Sequence, residues 1–424
     1  MNITDIHRLF LQSTGVCTDT RQLKKGQLYI ALKGDNFNGN AFAKAALEQG
    51  ASAALIDEES YITEGCILVD NGLQSLQDLA KYHRSYLNIP IIGLTGSNGK
   101  TTTKELINAV LSQKYSTVAT VGNLNNHIGV PLTLLSMTHH TEIGIVEMGA
   151  NHQGEIAALC EIAKPNYGYI TNFGKAHLEG FGGEEGVIKG KSELYTYLKK
   201  SNGLAITNVE DPIQLRLTKD LQHYSFGATG ADVTTRLTSA NPWVQLQLED
   251  TSIASQLIGN YNATNIAAAL AFGVYFKLST DAIKKGIEDY IPTNNRSQII
   301  NKKGHTIILD AYNANPTSME AALRNLSIQK AEHKIAILGD MYEVGPTTNN
   351  EHSHIAALAT SLGIDEVHVV GQHFFDNAIL EHNLKSHMSF EAFKESFRGP
   401  GKEQSTILIK GSRGMAMERV LDLL

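Results

Sequence analysis

Hydrophobic residues follow two patterns along the chain. Short apolar runs predict strands, and apolar residues repeated every three or four positions predict helices. In the first 87 residues this pattern predicts a small α/β unit. Its helices are predicted at 3–12, 40–50 and 73–87, and its strands at 27–32, 51–57 and 66–70. Pro90 follows the last of these helices closely, and a helix normally ends before a proline. We therefore expect the first domain to span residues 1–88.

The middle of the chain alternates strands with helices. Strands are predicted at 89–94, 116–122, 141–150 and 166–174, and helices at 101–113 and 155–163. Several of these strands are almost continuously apolar, which a parallel strand covered on both faces requires. The pattern therefore predicts a doubly wound parallel sheet. Residues 231–250 alternate as β-structure does, and residues 262–278 are typical of a helix.

The last 130 residues repeat the α/β rhythm. Strands are predicted at 305–312, 333–341, 365–371 and 405–411, and helices at 318–326 and 352–363. This pattern is typical of an independent Rossmann-like domain. The sequence thus predicts an α/β protein of three domains, at 1–88, 89–292 and 293–424.

The amino-acid composition limits which kinds of molecule the chain is expected to bind. The chain of 424 residues carries 36 Lys and Arg against 43 Asp and Glu, so its net charge is −7. An acidic chain without a basic run is not expected to bind nucleic acid or anionic lipid over a broad surface. Its three cysteines form neither a disulfide framework nor a cysteine-rich zinc site. With no long apolar segment and no secretory N-terminus, we expect a soluble, cytoplasmic protein.

The most specific motif is GLTGSNGKTTTKE at 93–105, which follows an apolar strand and opens a helix. That context is typical of a phosphate-binding loop, so the central domain is expected to resemble P-loop NTPases. Gly96 and Gly99 let backbone amides approach a phosphate, Lys100 can reach phosphate oxygens, and Thr101 can coordinate Mg²⁺. The loop is a variant, because Leu94 stands where the common pattern has its first glycine.

Two further residues follow strands of the same predicted sheet. Glu147 closes the apolar strand in IGIVEMG, and His177 lies in NFGKAHLEGFG at 172–182. Ligands bind at the carboxyl edge of a parallel sheet, so both side chains are candidates for a metal site. A solvated role for either residue also fits the sequence alone.

Two lysines, Lys189 and Lys191, lie on a predicted helix within 182–198. Residues two positions apart differ by about 200° around a helix, so only one of them can face the site. From the residues alone we expect both to be solvated.

Together these segments resemble the ATP-dependent Mur ligases of bacterial cell-wall synthesis. The resemblance spans nearly the whole chain and all three domains. Its segments in the central domain are the phosphate loop, GNLNNHIGVPLTLL (122–135), VEMGAN (146–151), TNFGKAHLEGFG (171–182) and GNYNATNIAAALA (259–271). In the last domain LDAYNANPTSMEAAL (309–323), LGDMYEVG (338–345) and LIKGSRGMAMERV (408–420) are similar to the branch of the family that adds D-alanyl-D-alanine.

The resemblance implies ligation of D-Ala-D-Ala to UDP-N-acetylmuramoyl-tripeptide through an acyl phosphate, with ATP and Mg²⁺, by a monomer. The catalytic residues that it implies are Lys100, Glu147, His177, Lys191 and Arg296, with Thr101, Glu147 and His177 serving the metal. In some relatives a lysine at the position of Lys191 carries CO₂ as a carbamate. The implied nucleotide contacts are Thr95, Gly96, Ser97, Asn98, Gly99, Lys100, Thr101, Thr102, Asn262, Asn265, Arg296 and Asp310.

Substrate contacts are implied in the outer domains. TDTRQLKKGQLYIALKG at 18–34 resembles the family's uridine-diphosphate site, with Thr20 and Arg21 as the expected contacts. The family often has Asp-Gly-His after it, whereas this chain has Asn-Gly-Asn ending at Asn40. The residues expected to receive the dipeptide are Tyr312, Asn313, Asn315, Ser412 and Arg413.

Three alternatives stay open at this point. A family member that adds a diamino acid is disfavoured because its expected Asp-Asn-Pro-Arg motif is not found in the last domain. Folylpolyglutamate synthases lack the N-terminal uridine site. A nucleotide-binding relative without catalysis is disfavoured by the presence of Lys100, Thr101, Glu147 and His177 together.

Overall fold

The computed structural model of the protein describes residues 1–377, 379–402 and 404–424. Its strands fall into three main sheets and one two-stranded hairpin. The α/β class and the three-part architecture predicted from the sequence are confirmed. The boundaries near residues 88 and 292 stay predictions, and each falls in a stretch of chain between two of the main sheets.

The N-terminal sheet has four parallel strands in the order β1-β2-β5-β6, and β3 and β4 form the separate hairpin. Short 3-10 turns lie at Thr20–Gln22, Gly39–Phe42 and Glu59–Tyr61. The elements are α1 (Ile3–Gln12), β1 (Val16–Cys17), β2 (Leu28–Ile30), β3 (Lys33–Gly34), β4 (Phe37–Asn38), α2 (Ala43–Glu48), β5 (Ala53–Ile56), β6 (Cys66–Leu68) and α3 (Gly72–Leu87).

The central sheet has nine strands in the order β15-β14-β13-β12-β11-β10-β7-β9-β8. Strands β7 to β13 pair in parallel, and the hairpins β13-β14-β15 extend one edge antiparallel. The elements are β7 (Ile91–Thr95), α4 (Lys100–Leu111), β8 (Thr117–Ala119), α5 (Gly129–Leu135), β9 (Ile143–Glu147), α6 (Glu155–Ala163), β10 (Tyr167–Ile170), α7 (Leu178–Phe181), α8 (Glu184–Ser201), β11 (Leu204–Asn208), α9 (Pro212–Thr218), β12 (Gln222–Gly227), β13 (Val233–Ala240), β14 (Val244–Leu248), β15 (Thr251–Ala254), α10 (Tyr261–Tyr275) and α11 (Thr280–Glu288).

Helices cover both faces of the central part of this sheet, which explains why β7 and β9 are buried along their whole length. In β7, Ile91 packs into one hydrophobic cluster, whereas Ile92 and Leu94 pack into the cluster on the other face. Some strand predictions in this domain were too long: the strands predicted at 116–122, 141–150 and 166–174 end at Ala119, Glu147 and Ile170. After Ile170 the chain passes the phosphate loop: the Thr171 N–H still donates to the carbonyl of Thr95 in β7 (2.9 Å), and its hydroxyl donates to the Asn98 carbonyl of the loop (2.6 Å).

The C-terminal sheet has six strands in the order β16-β17-β21-β18-β19-β20, all parallel except β16. Further 3-10 turns lie at Gly345–Thr347, Arg413–Met415 and Met417–Leu423. The elements are β16 (Gln298–Lys302), β17 (His305–Asp310), α12 (Pro316–Ile328), β18 (Lys334–Gly339), α13 (Thr348–Ser361), β19 (Glu366–Val370), α14 (Gln372–Asp376), β20 (Leu384–His387), α15 (Phe390–Ser396) and β21 (Thr406–Lys410).

Side chains also join the domains. Arg84 of α3 is buried and donates hydrogen bonds to the carbonyls of Ala163 (3.0 Å) and Lys164 (3.1 Å), and to Asn166 Oδ1 (2.9 Å). The first two acceptors are at the C-terminal end of α6, where carbonyl groups lack partners within the helix. One N-terminal side chain thus caps a helix of the central domain. None of the described helices is both long and apolar enough to cross a bilayer.

We predict that Arg84→Ala lowers the free energy of unfolding by about 2 kcal/mol, because it removes charge-assisted hydrogen bonds from partly buried carbonyls. Urea-induced unfolding followed by circular dichroism measures this change. The control is Arg8→Ala on α1, whose exposed guanidinium pairs with Asp5 at 3.2 Å. An exposed pair of this kind contributes less than about 1 kcal/mol. Equal effects of the two substitutions would contradict the capping role of Arg84.

Candidate active site

The phosphate loop connects β7 to α4 and is shaped by two glycines. Gly96 has φ 142°, and a Cβ there would lie 2.0 Å from Thr171 Oγ1. Gly99 has φ 79°, and its Cβ would lie 2.6 Å from Asn265 Oδ1. Neither position can accept a side chain without rearrangement, and glycine adopts both conformations without strain. The loop is therefore held tightly between its neighbours.

The segment after β10 fixes the outer side of this loop. Asn98 is bonded in both directions, since its N–H donates to Asn172 Oδ1 (3.1 Å) and its carbonyl accepts from Thr171 Oγ1 (2.6 Å). The Ser97 hydroxyl donates to the Gly174 carbonyl at 2.7 Å. These contacts hold the loop and the 171–174 segment in one arrangement.

A cavity of about 830 Å³ opens over the loop and receives side chains from all three domains. It brings together most of the residues predicted from the sequence. These are Ser97, Asn98, Gly99, Lys100, Thr101, Thr102, Glu147, His177, Asn262, Asn265, Arg296, Asp310, Tyr312, Asn313 and Asn315. Thr95 and Gly96 do not line it, and Thr95 is fully buried at the end of β7.

Lys100 is the cation at the centre of the loop. Its Nζ donates to the carbonyls of Gly96 (2.7 Å) and Ser97 (3.2 Å). Burial lowers the pKa of Lys100 to about 8, against the opposing attraction of Glu147, and the charge of Arg296 lowers it further. The negative charge around this ammonium group is therefore too small to offset the cost of removing it from water.

Glu147 reaches the cavity from the end of β9. Asn125 donates to its Oε1 at 2.9 Å, whereas its buried Oε2 has no hydrogen-bond partner within the described residues. Asn125 belongs to the 122–135 segment that carried the resemblance, but it lies in a loop where neither strand nor helix pattern indicates a direction. Nothing in its local sequence pattern therefore marks Asn125 as a site residue.

His177 lies at the boundary with the C-terminal domain. Its Nδ1 is 2.5 Å from Oε2 of Glu343, a residue of LGDMYEVG that the sequence analysis did not propose for the site. Burial lowers the pKa of His177, and Glu343 partly opposes that effect. No group of three or more His, Cys, Asp or Glu side chains suited to a metal ion occurs in the described part of the chain. The metal role of His177 stays a prediction.

Lys189 and Lys191 differ in their surroundings, as the helical geometry requires. Lys189 is exposed, whereas Lys191 is 1% exposed, so the expectation that both are solvated was wrong for Lys191. Its Nζ donates to the carbonyl of Ala150 at 3.0 Å and lies 4.7 Å from the ring centre of Phe181. Burial lowers the pKa of Lys191 well below that of an ordinary lysine, and repulsion from Lys100 adds to this effect.

The two predicted adenine contacts form a buried amide pair on α10. Asn265 donates to Asn262 Oδ1 at 2.8 Å and accepts from Thr103 Oγ1 at 3.0 Å. Asn262 in turn donates to the Ile258 carbonyl at 2.8 Å. Both amides support the loop from behind while lining the cavity, and their contact with adenine stays a prediction.

The C-terminal domain closes the cavity. Asn315 Nδ2 donates to Asn98 Oδ1 at 2.7 Å, which joins the phosphate loop to the cap of α12. On the same boundary Lys175 lies 3.4 Å from Glu351, and its N–H donates to Thr317 Oγ1. The described structure therefore has the last domain docked on the phosphate loop.

Behind Asn313, Lys410 adds a further cation to this wall. Its buried Nζ lies 2.6 Å from Asp310 Oδ2 and donates to the Asn313 carbonyl. Asp310 Oδ1 accepts from the N–H of Ser297 at 3.1 Å. Because both carboxylate oxygens are held, Asp310 presents one fixed orientation to the cavity.

Four predicted substrate residues do not line the cavity. Thr20 and Arg21 lie on the first 3-10 turn, where the exposed Arg21 side chain pairs with Asp19 at 2.7 Å. Ser412 is buried and accepts from the Tyr342 N–H, whereas the exposed Arg413 pairs with Glu418. Their contacts with substrate stay predictions that the central cavity does not explain.

The departure at Asn40 has a structural explanation. This buried amide donates to Asp57 Oδ1 (2.8 Å) and accepts from the Asp57 N–H (2.9 Å). Lys33 pairs with the same carboxylate at 3.1 Å. The side chain of Asn40 thus hydrogen-bonds the segment before α2 to the residue that follows β5.

Comparison with known proteins gives matches in each part of the chain. Sequence models of the family match at residues 12–86 ("Mur ligase family, catalytic domain"), 94–273 ("Mur ligase middle domain") and 295–413 ("Mur ligase, glutamate ligase domain"). The UDP-N-acetylmuramoyl-tripeptide–D-alanyl-D-alanine ligase of Bacillus subtilis (strain 168) is 36% identical over 96% of this chain and 92% of its own length. The enzyme of that name from Escherichia coli (strain K12) is 34% identical over the same shares.

Solved structures agree with these matches. A crystal structure of MurF from Acinetobacter baumannii is 31% identical, with a TM-score of 0.87 over 98% of this chain and 97% of that one. MurF ligase from Thermotoga maritima, solved in complex with ADP, is 27% identical, with a TM-score of 0.85 over the same shares. The sequence matches cover all three domains, and the structural matches extend over nearly the whole chain. This protein belongs to the Mur ligase family.

Proposed function

We propose that this protein is the ATP-dependent ligase that joins D-alanyl-D-alanine to the carboxylate of UDP-N-acetylmuramoyl-tripeptide. The observation that carries the proposal is a single cavity in which a phosphate loop meets cationic and amide side chains of the C-terminal domain. The relatives named for this reaction, which align over almost the full chain, supply the substrates. The three predicted domains would bind the uridine nucleotide, ATP and the dipeptide in chain order.

Unpaired polar atoms in this cavity are evidence that it binds phosphate and a metal ion. Within the described residues Arg296 Nε, Asn98 Nδ2 and Glu147 Oε2 are buried without a hydrogen-bond partner. The two N–H donors suit phosphate oxygens, and the carboxylate oxygen suits Mg²⁺. Thr101 and Glu147 would hold the ion, which supplies charge neutralisation when bound. His177 is kept as a further candidate for the metal centre.

The proposed reaction has two steps. The γ-phosphoryl group of ATP passes to the tripeptide carboxylate, which gives an acyl phosphate and ADP. The amine of D-Ala-D-Ala then attacks the acyl carbon, the amide bond forms, and phosphate and the amine's proton leave. Lys100 and Arg296 stabilise the negative charge that spreads over the transferring group. A docked C-terminal domain excludes water that would hydrolyse the acyl phosphate.

The other predicted residues are assigned to the parts of the substrates that they are proposed to contact. Asn262 and Asn265 are proposed to face adenine, and Asp310 the ribose. Asn313 and Asn315 are proposed to contact the dipeptide, because Asn315 already spans the gap between α12 and the phosphate loop. Thr20 and Arg21 are proposed to hold the uridine diphosphate at a distance from this centre. We further propose that the chain acts as a monomer.

The defining test is phosphate release from purified protein. Turnover is expected only when ATP, Mg²⁺, UDP-N-acetylmuramoyl-tripeptide and D-Ala-D-Ala are all present. Lys100→Ala should lower kcat at least a thousandfold with an unchanged circular dichroism spectrum, because the residue acts through its charge. Equal turnover with a diamino acid in place of the dipeptide would assign the chain to another branch of the family.

We also propose that Lys191 is carbamylated. Its buried amine has a strongly lowered pKa, and a neutral amine can attack CO₂ and release a proton to form the anionic carbamate. Ala150, whose carbonyl accepts from Lys191, lines the cavity. The carbamate would therefore place a negative charge beside the cations of the site.

Carbon-13 NMR of the protein in labelled bicarbonate should show a carbamate signal that Lys191→Ala abolishes. The same variant should lose activity about a hundredfold and regain part of it with added acetate, since acetate restores a carboxylate. Lys189→Ala is the matched control, because Lys189 is exposed one half-turn away. A fully active Lys191→Ala protein without any carbamate signal in the parent would refute this assignment.

A further inference from the structure

The guanidinium of Arg296 lies over an aromatic ring inside the cavity. Its Cζ is 3.7 Å from the ring centre of Tyr312, and both residues line the cavity. A cation within about 6 Å of a ring face is attracted by the ring's negative potential. Arg296 has no salt bridge elsewhere in the described chain, so this ring is its main side-chain contact.

The backbone around this arginine is held in an uncommon conformation. Asn295 has φ 56° and Ser297 has φ 51°, both in the left-handed region that non-glycine residues seldom adopt. Such conformations persist when surrounding contacts fix them. Here the Tyr312 N–H donates to the Asn295 carbonyl (3.2 Å), and the Ser297 N–H donates to Asp310 Oδ1 (3.1 Å).

A contact from the central domain completes this support. The hydroxyl of Tyr261, at the start of α10, lies 2.7 Å from Ser297 Oγ. The connection between the central and C-terminal domains is thus fixed on both sides of the arginine. What the backbone does not fix is the direction of the long guanidinium side chain, which is set by the ring of Tyr312.

We infer that Tyr312 is a positioning residue for Arg296. It holds the guanidinium toward the phosphate end of the cavity, so little side-chain freedom is lost when the arginine meets the terminal phosphate. This inference rests on the proposed function, in which Arg296 contacts the γ-phosphate. It gives Tyr312 a role different from the dipeptide contact that the sequence resemblance implied.

The first test removes the ring. Tyr312→Leu is expected to lower kcat about tenfold, with the KM for D-Ala-D-Ala changed less than about twofold. Tyr312→Phe keeps the ring face and is expected to recover most of the lost kcat. A raised dipeptide KM at normal kcat would overturn the inference in favour of a dipeptide contact.

A double-mutant cycle tests whether Tyr312 acts through Arg296. If it does, the Arg296→Ala, Tyr312→Leu protein has the same kcat as Arg296→Ala alone. Losses that multiply in the double variant would show independent roles and would contradict the inference. Thermal unfolding of all four proteins controls for changes in the fold.

Nucleotide binding distinguishes two roles of Tyr312, the positioning of Arg296 and a stacking contact with adenine. Calorimetry with Mg²⁺ and a non-hydrolysable ATP analogue should show about tenfold weaker binding to Tyr312→Leu, whereas ADP should bind the variant and the parent equally. Equal weakening of both nucleotides would overturn the inference. These binding results do not depend on ligase turnover, so a parent protein that binds both nucleotides but lacks dipeptide-dependent turnover would refute only the proposed function.

Discussion

The proposed chemistry depends on positive charge that is gathered in one cavity before any phosphate binds. Lys100 and Arg296 share one cavity, and neither has a salt bridge within the described residues. Burial and mutual repulsion lower the pKa of Lys100 to about 8. Lys191 lies behind the same wall, and its pKa is lowered well below the ordinary range. A chain of net charge −7 can therefore bind polyanions at one place, because its unpaired cations are concentrated there.

The fold explains how distant segments supply this charge. The parallel sheet brings the phosphate loop, Glu147 and the 171–174 segment to one edge, since each follows the carboxyl end of a strand. The C-terminal domain then adds Arg296 from the segment before β16 and the Asp310–Lys410 pair from the neighbouring strands β17 and β21. Contacts between Asn98 and Asn315 join the two edges. Phosphoryl transfer and dipeptide attack can consequently take place in one cavity.

Sequence patterns predicted the fold class and the phosphate loop because those features are local, whereas most cavity residues outside the loop came from the family resemblance. The loop at 93–105 carries its glycines and lysine in one short segment, and Glu147 follows directly from a strand end. Contacts between distant segments were not predictable in this way. Lys191 is buried by α7 and the end of the 146–151 segment, and Glu343 meets His177 only when two domains dock. The stacking of Tyr312 on Arg296 likewise depends on a strained turn.

The most direct test of the central claim is the number of protons taken up when MgATP binds, measured by calorimetry in buffers of different ionisation enthalpy. With a pKa of about 8 in the free protein, Lys100 is mostly protonated at pH 7 and mostly neutral at pH 8.5. Bound phosphate raises that pKa, so uptake should increase from about 0.1 proton at pH 7 to about 0.7 at pH 8.5. Lys100→Arg, which stays protonated, should lose this increase. An uptake that does not change between the two pH values in the parent protein would contradict the account.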